Sequence, residues 1–429
     1  MKKKILITGG SGLLAINWAL SIRNNYTVTL LLHHKKISLS GVDTDVASLD
    51  SLDECLSVLV KHQPDIVVHT VGLTNIEECE SDPDLAQEVN VDLAKNIAIA
   101  CSDQGIKLVH ISTDNLFSGD QELATEESIT NPVNIYGETK LLAEQQVLEN
   151  CKDALVVRTN FFCWGTKYRQ SFSDFILNKL KNNKQSNLFS DVYFTPILVD
   201  ELVKHTHQLI DSNAIGIFNI VGSERMSKYE FGIKLAKHFN FDSGLINKIS
   251  INDKSSLVKR PKDMSLSNTK LCQALNCEIA SFDEQLQTLK EQKNKDADNQ
   301  VVLDIIPYGK HYIDEDDIQS VVNVLRHGML TQGPKVLEFE KKVANYVGAK
   351  YAVAVANGTA ALHLTCMALD LGEGDEVLTS PNTFVATSNS ILYVGAKPVF
   401  VDIDNQTLNI DIDQIEQVII DSSNIRAIF

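Results

Sequence analysis

The fold is decided by KILITGGSGLLAINWALSI, residues 4–22. An apolar run over 4–8 leads into Gly9, Gly10 and Gly12, and helical spacing then continues to about Asn24. This order predicts a strand, a glycine turn and a helix. Glycines there let the backbone approach a pyrophosphate, while the helix start offers unbonded N–H groups and the positive end of its dipole. Gly9, Gly10, Ser11, Gly12, Leu13 and Leu14 are therefore the candidate contacts to a dinucleotide. Ala15 stands where the fingerprint usually has its third glycine, a replacement that close helix–strand packing accepts. Isolated, such a turn is an ordinary tight turn; between a strand and a helix it reads as a cofactor site.

The alternation continues outward from this stretch. Thr27–Leu32 is a second strand, ending in His33, His34, Lys35 and Lys36. An acid at this place would hold the ribose 2′-hydroxyl of NAD; a basic cluster instead suits the 2′-phosphate of NADP. Helices are expected over about 51–62, 84–103 and 134–150, with strands at 65–70, 107–112 and 154–159. Continuous apolar strands separated by helices predict a parallel sheet covered on both faces, a doubly wound α/β fold. From about 160 the pattern loosens into short elements, GIFNIVG (216–222) among them, of the kind that build a substrate pocket. A polar run, NKDADNQ (294–300), is the best linker candidate.

Two motifs carry the chemistry, HISTDNLFSG (110–119) and NPVNIYGETK (131–140). Thr113 follows a strand, on the edge where parallel sheets bind ligands. Tyr136 and Lys140 lie one turn apart on the same helix face. A cation there is expected to favour the phenolate and pull the tyrosine pKa down towards working pH. With Thr113 holding a substrate oxygen, Tyr136 could pass a proton to or from it. A chain with 10 tyrosines throws up about one Tyr-x-x-x-Lys by chance. A second copy does occur, Tyr346 to Lys350, but Gly348 interrupts it.

At 429 residues the chain suggests two or three domains, with 44% hydrophobic and 22% charged residues, as in a globular protein. A net charge of −17 argues against nucleic-acid and anionic-membrane partners. The eight cysteines are scattered, which fits free thiols in a reducing cytosol better than disulfides or zinc. No metal site is expected: Asp402 and Asp404 lack the glycine of a calcium loop. Glycines and Asn17 interrupt the apolar start, so neither a signal peptide nor a membrane span is expected, and a cytoplasmic location follows.

Residues 1 to about 290 resemble the extended short-chain dehydrogenase/reductase family, within it the dTDP-4-dehydrorhamnose reductase group. The likeness rests on ITGGSG, PDIVVHTVGLTNIEECESDPDLAQEVN, HISTDNLFSG and NPVNIYGETKLLAE, continued by VRTNFF, DVYFTPI and RPKDMSLSN, all in order. It implies a Rossmann-type nucleotide half over about 1–160 and a small α+β substrate half over about 161–290. It also implies reduction of a 4-keto nucleotide-sugar by NADPH or NADH. Tyr136 would be the proton donor, Lys140 would tune it and touch the nicotinamide ribose, and Thr113 would bind the C4 oxygen. The related 4,6-dehydratases carry an acid and a lysine after the threonine; here Asp114 is followed by Asn115, which disfavours elimination. An epimerase or dehydratase that retains NAD⁺ stays the alternative. So does a non-catalytic binding subunit, since the regulatory subunit of methionine adenosyltransferase has this fold.

After a linker over 291–304, residues 305–429 resemble the DegT/DnrJ/EryC1/StrS sugar aminotransferases, pyridoxal-phosphate enzymes of the aspartate aminotransferase type. YAVAVANGTAALHL (351–364) reads as strand, turn and helix. By the resemblance Gly358, Thr359 and Ala360 would meet the cofactor phosphate, and Phe384 would stack on its ring. The Schiff-base lysine and the pyridinium-binding aspartate of that family fall beyond Phe429, so this part is expected to be incomplete and inactive as it stands. If the chain is a piece of a longer bifunctional protein, a transaminase of UDP- or dTDP-4-keto sugars is the further alternative. The resemblances also allow a homodimer.

Overall fold

The structure, a computed structural model, describes residues 2–33, 35–166, 168–254, 256–293, 302–303, 311–331 and 333–429. It divides into two compact units, Met1–Tyr308 and Gly309–Phe429. The linker expected over 291–304 lies mostly outside the described residues. Of its described part, a helix Phe282–Lys293 takes the first residues, and Val302–Leu303 pairs antiparallel with Ile37–Ser38.

In the first unit the opening stretch folds as its pattern dictates, with β1 at Lys4–Thr8 and α1 at Leu13–Ile22. Then follow β2 (Thr27–Leu32), β3 (Asp43–Val46), α2 (Leu52–His62), β4 (Ile66–His69), α3 (Leu93–Gln104) and β5 (Lys107–Ile111). The motif NPVNIYGETK opens α4 (Ile135–Asn150), and β6 (Leu155–Arg158) and β7 (Gly216–Asn219) complete the sheet. All seven strands are parallel, in the order β7-β6-β5-β4-β1-β2-β3. The order reverses between β1 and β4, and ligands bind in the crevice such a switch opens at the carboxyl ends.

Alternate residues of these strands fill two cores. Ile5, Ile7, Val68, Val109 and Val157 pack with Trp18 of α1 on one face. Leu6, Val67, Leu108 and Val156 pack with Leu59, Ile97 and Val147 of α2, α3 and α4 on the other. Burial on both faces is why these strands are continuously apolar.

Two expectations need correction here. GIFNIVG was assigned to the substrate half, yet Gly216–Asn219 is β7, in register with Leu155–Arg158 of the nucleotide sheet. The helix expected over 84–103 is present without a break from Pro83 to Gln104, but it is not uniform: Glu88–Asp92 is wound as a π-helix ahead of α3.

The substrate half packs around Phe231, which is fully buried in the helix Lys228–His238. The rings of Phe162, Phe172, Phe194 and Phe282 all lie between 5.4 and 5.6 Å from it. Ring pairs at such spacings add to what burial alone contributes.

The second unit has a three-stranded parallel sheet, Lys397–Phe400, Glu376–Thr379 and Ile425–Ile428, with Glu376–Thr379 in the middle. Its core is small: Cys366, Leu371, Val377, Ile391 and Ala396. The strand expected at the start of 351–364 is absent among the described residues; residues 351–355 have no regular structure and are largely exposed. No strand of the three is registered against them, so their backbone has no ladder to join. Asp314 caps the helix Glu315–His327 in a capping box with Asp317.

Replacing Phe231 by Ala should cost about 3–5 kcal/mol, because four rings lose their common neighbour. Urea unfolding followed by circular dichroism would show this as a lowered midpoint.

Candidate active site

The glycine turn is shaped by close approach. Gly9 has φ +69°, and Gly12 N–H donates to Gly9 O at 2.7 Å. A Cβ at Gly10 would sit 2.8 Å from Leu30 Cβ, so any side chain there would force β1 and β2 apart. Gly12 then caps α1 without a side-chain hydrogen bond. The first N–H groups of α1 are left for another acceptor.

The helix α4 is anchored at both ends of its first turns. Asn134 caps it through Gly137 N–H at 2.9 Å. Lys140, only 4% exposed, donates from Nζ to Ile111 O, the last carbonyl of β5, at 2.7 Å. The loop that follows β5 lies so close that a Cβ on Gly137 would be 2.4 Å from Asn115 O. Glycine inside the Tyr-x-x-x-Lys motif is therefore what lets Thr113 reach Tyr136.

These residues share one cavity of about 440 Å³. Gly12, Leu13 and Leu14 line it, as do Thr113, Tyr136 and Lys140, and the substrate half contributes Phe172. Gly9, Gly10 and Ser11 form the turn behind them. On the basic side, Tyr168 donates its hydroxyl to Ser11 O at 3.1 Å and carries Lys35 Nζ 4.0 Å from its ring. Lys35 thus sits beside the turn, His33 is exposed, and His34 lies outside the described residues. An open helix start with a lysine at its side fits NADP, whose nicotinamide would supply the hydride.

The expected effect of Lys140 on Tyr136 is not what the geometry gives. Burial raises the Tyr136 pKa to about 12; Thr113 pulls it down, but the Asp114 carboxylate and Cys79 push it further up. Lys140 is itself pushed down to about 8 by burial, against the pull of Glu144. Its ammonium is directed at the strand carbonyl. Tyr136 is consequently neutral at rest, the state a proton donor must have.

Several residues of the site escaped the sequence reading. Asn90 sits on the π-turn, accepts from Leu73 N–H at 2.8 Å and donates to Thr139 Oγ1 at 3.0 Å, tying the loop after β4 to α4. One extra residue in a helix leaves no mark on an apolar pattern, although such turns recur at functional sites. Asp114 is 2% exposed and is held by Asn115, Asn160 and Thr113. The pairing of VRTNFF with HISTDN could have suggested the contact with Asn160, since both follow strands of one sheet.

The RmlD substrate binding domain family matches residues 2–294. The chain belongs to this family. A dTDP-4-dehydrorhamnose reductase from Bacillus anthracis, solved in complex with NADP, superposes with TM-score 0.60 at 25% identity, covering 68% of this chain and all of that one. Mouse methionine adenosyltransferase 2 subunit beta is 31% identical over 279 residues, 63% of this chain and 81% of that protein. The DegT/DnrJ/EryC1/StrS aminotransferase family matches residues 311–429. Spore coat polysaccharide biosynthesis protein SpsC of Bacillus subtilis is 51% identical over 114 residues, 27% of this chain. That match spans 29% of SpsC, less than a third of the relative's length. The chain therefore joins a reductase-like RmlD-family unit to an aminotransferase-family segment.

In that segment the helix expected after the turn begins at Gly358, with Asn357 as its cap. The Asn357 side chain already accepts from Ala360 N–H at 2.9 Å, Gly358 is open to solvent, and Phe384 is 67% exposed. Gly358, Thr359, Ala360 and Phe384 do not by themselves enclose a pyridoxal phosphate. The tyrosine of the second Tyr-x-x-x-Lys copy is 93% exposed, and its helix ends at Val347, before Lys350. Among the described residues no group of His, Cys, Asp or Glu could hold a metal, and no helix is long and apolar enough to cross a membrane.

Two measurements check this site. The tyrosinate absorbance of the native chain minus that of Tyr136→Phe should titrate with a midpoint near 12, above that of an ordinary tyrosine. Gly137→Ala should cost about 1–3 kcal/mol in urea unfolding, as overpacking does, and should abolish the alignment of Thr113 with Tyr136, read as lost turnover.

Proposed function

We propose that the first unit reduces a 4-keto nucleotide-sugar with NADPH. NADH would be the weaker donor, because the turn is followed by basic residues and Lys35 lies beside it. The observation that carries the reading is the convergence of Thr113, Tyr136 and Lys140 on one cavity with the start of α1. Hydride delivered to C4 leaves an alkoxide; the Tyr136 hydroxyl protonates it and Thr113 orients the oxygen. Lys140 offers its ammonium to the ribose and offsets the charge left on Tyr136. Burial of all three side chains keeps bulk water away from the proton transfer.

The aminotransferase-like segment supports a place for the reaction in amino- or deoxy-sugar synthesis, where keto nucleotide-sugars are the substrates of both chemistries. A second reading, a cofactor-binding subunit without turnover, is favoured by the 31% identity to methionine adenosyltransferase 2 subunit beta. Intact Thr113, Tyr136 and Lys140 count against it.

Following NADPH absorbance over a panel of dTDP- and UDP-4-keto-6-deoxy sugars decides between them. Consumption is expected with at least one sugar, and Tyr136→Phe should lower its rate by about 10²–10⁴-fold, the range of general acid catalysis. NADPH binding with no consumption across the panel would favour the binding subunit.

A further inference from the structure

The ladder of Tyr136 and Lys140 on α4 has a third rung. Glu144, one further turn along, is 2% exposed. Facing it, Arg158 at the end of β6 is 3% exposed and grips the carboxylate through Nε at 2.9 Å and Nη2 at 2.7 Å. Arg158 Nη1 is buried without a hydrogen-bond partner, and the guanidinium lies 5.6 Å from the Phe117 ring. Such a pair contributes little to stability, since the loss of two hydration shells cancels most of the attraction. Its place beside the site calls for another account.

The groups that face Lys140 come from several elements. Tyr136 and Glu144 share its helix, His69 comes from β4, His110 from β5, and Arg158 from β6 acts through Glu144. The two imidazoles stack with centroids 5.6 Å apart. Burial, with Lys140 adding to it, holds His69 down to about 3 and His110 well below its ordinary value. Neither carries charge at working pH. That leaves the Glu144 carboxylate as the counter-charge that opposes the burial of Lys140.

We propose that Glu144 and Arg158 are positioning residues: the buried Glu144 carboxylate, one helical turn from Lys140 and held in place by Arg158, is the counter-charge that keeps Lys140 an ammonium and sets the alkaline end of the site's working range. The Arg158 guanidinium, bound to the same carboxylate, offsets part of its charge. The proposal rests on the reading of Lys140 as part of the reductase site.

The test measures Lys140 directly in the full chain, without substrate or cofactor. Its acetylation by acetic anhydride is followed against pH by peptide mass spectrometry. The native midpoint should lie near 8. Glu144→Gln should lower it by about one unit, the scale on which a nearby opposite charge acts. Arg158→Met should raise it, because the carboxylate then opposes the burial of Lys140 without a guanidinium to offset it. General loosening would instead move both midpoints up, towards that of an exposed lysine. If Glu144→Gln does not fold, the double variant Glu144→Gln/Arg158→Met leaves neither member of the ion pair charged without its partner, and its midpoint should fall below that of Arg158→Met. An unchanged or raised midpoint in Glu144→Gln, or a double variant equal to Arg158→Met, overturns the proposal. NADPH consumption by the same variants should lose its alkaline limb in the same order. Shifts in labelling without turnover on any sugar would uphold the ion pair's role and reject the reductase reading instead.

Discussion

The hydrogen bond from Lys140 Nζ to Ile111 O is the contact on which the rest of the site depends. It joins a helix to the last carbonyl of a central strand, and so fixes how far α4 lies from the carboxyl edge of the sheet. Thr113 comes two residues after that carbonyl and Tyr136 one turn before that lysine. Their proximity follows from the same link. An ammonium buried among strands would be costly without such acceptors, so the bond and the charge distribution around it are selected together. Gly137 completes the constraint by removing the one Cβ that would hold the loop off the helix.

The nucleotide half was largely legible because its signals are local. A buried parallel strand is a continuous apolar run, and a glycine turn between a strand and a helix has few other uses. The helices α2 and α4 and the strands β1, β2, β4, β5 and β6 lie where these signals put them. What escaped is non-local or leaves the pattern unchanged. β7 joins the sheet only after a long excursion through the substrate half, so nothing near Gly216 marks its partner as Leu155. The π-turn at Glu88–Asp92 inserts a residue without altering which faces are apolar. Residues 351–355 have the composition of a strand, but a strand also needs a neighbour to bond with.

That the candidate residues meet in one cavity was legible in the sequence; their electrostatics were not. Thr113, Tyr136 and Lys140 are brought together where their motifs pointed, whereas the direction of the tyrosine's shift was misjudged. The sign depends on how deeply the hydroxyl is buried and on Asp114 and Cys79 beside it, which spacing along a helix does not reveal. Glu144 and Arg158 read in the sequence as two ordinary charges fourteen positions apart. Only the packing of β6 under α4 turns them into a buried pair.

The upward shift of Tyr136 bears on the direction of the proposed chemistry. A tyrosine already ionised at rest would be a base, suited to taking a proton from an alcohol. One held neutral by burial keeps its proton until a stronger base, the alkoxide formed by hydride arrival, is placed against it. The charge then passes to the phenolate, and burial that raised its pKa now opposes the product. Lys140 is the cation within reach to offset that charge, one turn away on the same face. The ammonium must therefore persist at the pH of turnover, although burial drives it down to about 8. A carboxylate further along the helix, itself restrained by a guanidinium, is a means of holding that ammonium charged without letting it close on the carboxylate and leave the tyrosine.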